Sequence, residues 1–137
     1  MKEPREAWNI RPLKKKIAVS SSIKSEVEAK AKELIENVLK PIHAKPTAAD
    51  QTSNHIVDIT GKWFRGDFIF SSTYACPSPN AIFPSFESKF ARMEHLGDGK
   101  FALYFMRYTG KEWVGILDQL AVDEAMKAIA DDTWFHP

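Results

Sequence analysis

The sequence predicts an α+β domain, an antiparallel β-sheet of about five strands between an N-terminal and a C-terminal helix. Three observations predict it. Ile23, Val27, Ala31, Leu34, Ile35 and Val38 recur at helical spacing and form one apolar stripe. From His55 the apolar period falls to two, in segments divided by Gly, Pro, Asn and Asp. Helical spacing returns with Val122, Ala125, Met126 and Ile129.

Residues 1–20, with Pro4, Pro12 and Lys14-Lys15-Lys16, read as a mobile basic arm, ending in a short extended piece at Ile17-Ala18-Val19. The remaining residues, 21–137, read as a single domain. Serines 20 to 22 offer N-caps, because a serine oxygen accepts from an otherwise orphan helix N–H. Ser25 with Glu28 has capping-box spacing and is a second candidate start. Glu26 with Lys30 and Glu28 with Lys32 stand at i,i+4 in the favourable order. Lys40 precedes Pro41, which biases it away from helical geometry, so the helix is expected to stop there and residues 41–53 to form a loop.

The sheet is expected to be a hairpin followed by a three-strand meander. In the first strand Val57, Ile59 and Trp63 share a face; Gly66-Asp67 turns the chain. In the second, Phe68, Phe70, Ser72 and Tyr74 alternate with Ile69, Ser71, Thr73 and Ala75. Cys76-Pro77-Ser78-Pro79-Asn80 and Pro84 break the sheet. The third strand runs from about Glu87 to His95, with Gly97-Asp98-Gly99 as the turn. The fourth covers Lys100 to Tyr108, Thr109-Gly110 turns it, and the fifth covers Glu112 to Leu117. A last helix starts near Ala121, with Asp123 and Glu124 where the helix dipole favours anions. Asp131 and Asp132 are wrongly placed for that dipole and are expected beyond the helix.

Composition bounds the function. The 19 Lys and Arg nearly balance the 18 Asp and Glu, which argues against a dedicated nucleic-acid packer. The distribution is uneven: residues 1–50 are basic and residues 117–137 acidic. No run is apolar and long enough to span a membrane, and the N-terminus lacks the apolar core of a secretory signal. A lone Cys76 forms no internal disulfide, which points to a reducing, cytoplasmic setting.

The stretch Ala91-Arg92, Phe101, Leu103-Tyr104-Phe105, Arg107, Gly110 and Trp113, with Asp131-Asp132 and Trp134-Phe135 at the end, resembles a family of short bacterial proteins. That family is catalogued as domain of unknown function three-zero-two-four. Its pattern there reads Ala-Arg-aromatic, then Trp-x-Leu-Tyr-Trp, then Arg, Gly and Trp. This chain departs with Met93 and Phe105, and around Cys76. The resemblance spans residues 25–137 and its specific motifs 91–113. It implies the fold and carries no activity.

Chemical motifs are sparse. Cys76 lies in a Pro-rich loop after a strand, without a Cys-x-x-Cys partner or an adjacent histidine, and marks a candidate pocket. His43, His55, His95 and His136 are scattered singly, so no metal site is expected. Asp58 and Glu94, both on strands, could be imagined as an acid–base carboxylate pair, but each reads rather as a solvent-facing strand residue. No Gly-rich phosphate cradle is present, and no cofactor and no catalytic residue are expected.

Two features point to binding. On the fourth strand Phe101, Leu103 and Phe105 face one way and Tyr104, Met106 and Tyr108 the other, so both faces of the sheet need cover. The strands also interleave cations and rings, as single-stranded nucleic acid requires. Lys62, Arg65, Arg92, Tyr104, Arg107, Tyr108 and Trp113 form the candidate binding face. The leading expectation is a non-enzymatic interaction domain with a protein partner or a homodimer. A single-stranded nucleic-acid binder and a small-ligand protein or enzyme with a pocket near Cys76 are the alternatives.

Overall fold

The computed structural model describes residues 18–44, 53–109 and 111–137. Lys14-Lys15-Lys16 and all but the last three residues of the expected arm lie outside them. Ser20 closes the arm by capping α1, Ser21–Leu34, its hydroxyl accepting from the Ile23 N–H at 3.3 Å. Ser25 is already inside that helix.

The helix does not stop at Lys40. A π-helical turn, Ile35–Leu39, follows α1 directly, and a further turn, α2, runs Lys40–His43. The Lys40 N–H donates to the Ile35 carbonyl, five residues back. Pro41 falls in the first turn of α2, where a fixed φ of about −65° suits the helix, and the chain stays helical to His43, with Ala44 extended as its C-cap. The i,i+4 pattern on α1 is also redirected: Lys30 donates to Asp123 at 2.6 Å and so ties α1 to the last helix.

Five antiparallel strands follow in the order β1-β2-β3-β4-β5: His55–Phe64, Asp67–Ala75, Ser85–Gly97, Lys100–Arg107 and Glu112–Leu120. Each strand pairs with its sequence neighbour. The first turn lies one residue earlier than expected. Arg65 and Gly66 both take positive φ, at 53° and 86°, and Asp67 already pairs with Phe64. Two left-handed residues match the twist of a tight hairpin, and Asp98-Gly99 repeats the device with φ of 54° and 71°. A bulge between Ile56 and Asp58 re-aims β1, so Ile56 rather than Val57 joins Ile59 in the core.

The last helix, α3, runs Val122–Asp131, and its Glu124 carboxylate accepts from the Ala121 N–H at 2.8 Å. Asp131 closes the helix instead of lying beyond it, held by Lys127 at 2.7 Å in an i,i+4 pair that offsets the dipole penalty. Asp132 does fall outside and caps a 3-10 turn, Thr133–Phe135.

Cross-strand partners share a face, which divides the sheet cleanly. The first face carries Phe68, Phe70, Ala91, Met93, Phe101 and Leu103. Val27, Ala31, Ile35, Leu39, Ala125, Ile129 and Phe135 of the helical layer close over them in one core cluster. Phe68 meets Trp63 and Phe70 edge-on, each with ring centroids 5.3 Å apart. Burying side chains of this size stabilises by about 1.5–3 kcal/mol each. The described helices all belong to this face, and the opposite face holds the polar and cationic residues.

Candidate functional site

The second face is built on rows of paired residues. One row crosses the sheet as Lys62, Ile69, Arg92, Tyr104 and Gly115; the next holds Phe64, Asp67, Glu94 and Ala102. Ile69, Ala102 and Tyr104 are buried, yet they stand apart from the main core cluster.

Arg92 is the centre. Its Nε donates to Asp67 Oδ2 at 2.9 Å, and both Nη groups remain outside that bond. Its guanidinium carbon lies 4.6 Å from the Tyr104 ring centroid and 6.0 Å from that of Trp113. A guanidinium over a ring face is attracted by the ring quadrupole, and its planarity lets it stack where a lysine cannot. Tyr104 is fixed in turn by donating its hydroxyl to Glu94 Oε1 at 2.6 Å.

Beside this group lies a concavity of about 310 Å³, lined by Phe64, Arg65, Asp67, Ile69, Lys89, Arg92 and Trp113. Phe64 is 51% exposed and carries two cations over its ring, Arg65 at 5.1 Å and Lys89 at 5.8 Å. Three cations, one carboxylate and two aromatic rings thus border one shallow seat. Arg65 reaches it from the hairpin turn, Arg92 and Lys89 from β3, Trp113 from β5. Cations on a concave wall raise the local concentration of anions, and exposed rings offer stacking surfaces.

Of the residues expected on this face, Arg65, Arg92 and Trp113 line the seat, Tyr104 supports it, and Lys62 flanks it in the same row. Arg107 and Tyr108 lie elsewhere. Arg107 alternates with Met106 and so shares the side of Phe105, where it pairs with Glu112 at 3.1 Å. Tyr108 follows the end of β4, and its hydroxyl donates to the Lys89 carbonyl at 3.1 Å. Sequence reasoning missed Phe64 and Asp67 as a facing pair. The signal was Arg65-Gly66, a two-residue turn that sets the register of the hairpin.

Two further concavities lie along the helical layer. One of about 380 Å³ sits between α1 and β1, where Lys40 bridges Glu36 at 2.8 Å and Asp58 at 3.1 Å. Those two bonds, Glu36 first, raise the Lys40 ammonium above its ordinary value of 10.5. The other, of about 370 Å³, separates α1 from α3 beneath the Lys30–Asp123 bridge. Cys76 lines none of these three concavities. It is half-buried, its N–H donates to the Pro84 carbonyl, and His55 lies across from its neighbour Ala75. Asp58 and Glu94 each have their own partner and do not face each other. No group of three or more metal-ligating side chains occurs among the described residues. No helix among them is long and apolar enough to cross a membrane.

A family model described as Domain of unknown function (DUF3024) matches residues 19–137. No curated protein and no solved structure matches the chain.

Proposed function

Because the chain belongs to the DUF3024 family, a domain of unknown function, we propose its role from its own geometry: a binding domain that takes single-stranded nucleic acid on the second face of its sheet. One observation carries this reading. Arg65, Lys89 and Arg92 converge with Phe64 and Trp113 around one seat, so phosphate-binding and base-stacking groups stand side by side. Stacking on an exposed ring contributes about 1–3 kcal/mol per base, and it tolerates any sequence because every base has a π-face. Each cation that displaces a condensed counterion makes affinity depend on salt. The near-neutral chain supports a local electrostatic seat, not a wholly basic surface.

The experiment is a titration of intrinsic tryptophan fluorescence with short single-stranded DNA and RNA at low and at physiological salt. The expected result is a saturable quench that weakens with salt. Trp113→Phe removes the reporting indole while keeping a ring. Lys89→Ala and Arg65→Ala each flatten the logarithmic salt dependence by roughly 0.7, the single-strand value for one phosphate contact. A protein that shows no quench at either salt overturns the reading and leaves a protein partner for this face.

A further inference from the structure

The four histidines are scattered singly in the sequence, and the fold brings two of them together. His43 and His136 have ring centroids 5.2 Å apart, with their planes tilted by 55°. Both belong to the helical layer: His43 lies one turn beyond Leu39 and His136 directly follows Phe135, two residues of the core cluster.

Each ring is carried by anchored backbone. His43 closes α2, the end of a helical run that is unbroken from Ser21. His136 follows the 3-10 turn Thr133–Phe135, and its N–H donates to the Thr133 carbonyl at 3.2 Å. Phe135 is fully buried and pins that turn, and Asp132 caps its start by accepting from the Trp134 N–H at 3.1 Å. Ligands held on ordered elements cost less entropy to bring to a common ion.

The spacing is that of a two-imidazole ligand set. Zn–N bonds of about 2.0–2.1 Å at the tetrahedral angle place two imidazole centroids about 5 Å apart. The cis positions of an octahedral ion would draw the rings in to about 4.5 Å. An imidazole has two nitrogens, so ligation through one leaves the other for a hydrogen bond. The charge distribution suits a cation. The helical run ends at His43 with the negative pole of its dipole. Residues 117–137 carry five carboxylates against one lysine. Lys40, one turn before His43, and Lys127 of α3 are each held by a carboxylate, at 2.8 Å and 2.7 Å.

We infer that His43 and His136 form a binding site for a divalent transition-metal ion of tetrahedral preference, Zn²⁺ by this geometry. Water completes the coordination on the side where His136 is exposed. Two protein ligands, against the four of a structural zinc site, make the ion exchangeable. An ion that binds the folded chain and not the unfolded one stabilises it, so the site is a clasp between the first helical run and the turn after α3.

The test is a calorimetric titration of the full chain with Zn²⁺ alone, without nucleic acid, so that the outcome is independent of the seat around Arg92. Every sample carries Cys76→Ser, so that no thiolate competes for the metal. The expected result is saturable binding of one ion per chain, reversed by a chelator. His43→Gln and His136→Gln should each weaken it at least about tenfold, since even outer partners of a metal ligand are worth about 10–100-fold. His55→Gln, remote from the pair in sequence, should leave it unchanged. Zn²⁺ should also raise the thermal midpoint of the parent chain and of neither variant. Unchanged circular dichroism checks folding; if His43→Gln does not fold, His136→Gln and the nitrogen NMR shifts of the two unsubstituted rings on adding Zn²⁺ decide. Absence of saturable binding, binding insensitive to either substitution, or binding lost through only one of the two histidines overturns the inference.

Discussion

Arg92 and Asp67 form the ion pair around which the second face is arranged: Nε donates to Oδ2 at 2.9 Å from side chains 23% and 8% exposed. The pair joins neighbouring strands β2 and β3 diagonally, two residues off the direct Ile69–Arg92 pairing, so it also locks that register. Breaking a buried pair by removing one partner strands a desolvated charge. Arg92→Ala is expected to destabilise the fold by about 2–4 kcal/mol, with Asp67→Asn, which keeps an acceptor, costing less. Urea unfolding with an unchanged m-value checks both. A cost under about 0.5 kcal/mol for Arg92→Ala would show that the pair does not hold the face.

Gly61 is required by Phe68. A Cβ at position 61 would lie 2.7 Å and 2.8 Å from two carbons of the Phe68 ring. That ring is fully buried and held edge-on by Trp63 and Phe70. Gly61→Ala is expected to cost about 1–3 kcal/mol by overpacking. Combining it with Phe68→Leu should cost less than the two changes summed, because the clash is gone. Additive costs in thermal or urea unfolding would place the strain elsewhere.

Periodicity made the fold legible, and local backbone chemistry decided where it misled. Strand alternation from Phe68 to Ala75 and from Phe101 to Met106 separates the two faces as they are found, because each strand has one neighbour on either side and a period of two. Pro41 suggested a stop and instead enters a new turn, because a π-helical turn precedes it; no spacing rule reveals that wide turn. Half of the candidate site followed from residue type alone. Arg92, Tyr104 and Trp113 are adjacent in space because β3, β4 and β5 are consecutive in a meander. Phe64 is out of phase with Ile59 and Trp63 in β1, and the Arg65-Gly66 turn sets it opposite Asp67 on the other face. Arg107 lies one residue out of phase with Tyr104, a parity that the strand assignment already contained.

Lys40 ties the helical layer to the sheet edge by bonding Glu36 and Asp58. Both partners raise its affinity for the proton above the ordinary lysine value of 10.5. A folded-state value above the unfolded one gives stability that is fully present below pH 10.5 and is lost as pH rises through the folded value. The wild type should therefore lose stability more steeply above that pH than Lys40→Met, while the two run parallel at neutral pH. Comparing wild type with variant cancels the similar contributions of Lys30 and Lys127. Parallel curves through the alkaline range would remove Lys40 from the linkage.

His95 is 6% exposed, and its Nε2 accepts from the Gly99 N–H at 3.1 Å, across the turn between β3 and β4. An accepting Nε2 carries no proton, so the neutral ring is the Nδ1–H tautomer. Nδ1 is buried and finds no partner among the described residues. The site therefore couples one gain to one cost: a satisfied backbone amide against an orphaned ring N–H, which is worth about 1–3 kcal/mol to remove. Long-range nitrogen NMR should show Nε2 as the unprotonated nitrogen and couple it to the Gly99 amide. His95→Phe keeps the ring contact with Phe101 at 5.3 Å and deletes the acceptor and the orphan donor together, so its stability should stay within about 1 kcal/mol of wild type. His95→Ala forfeits the ring packing as well and should cost about 2–4 kcal/mol. A protonated Nε2 at neutral pH, or a phenylalanine variant as unstable as the alanine one, would mean that the turn does not depend on this bond as its geometry implies.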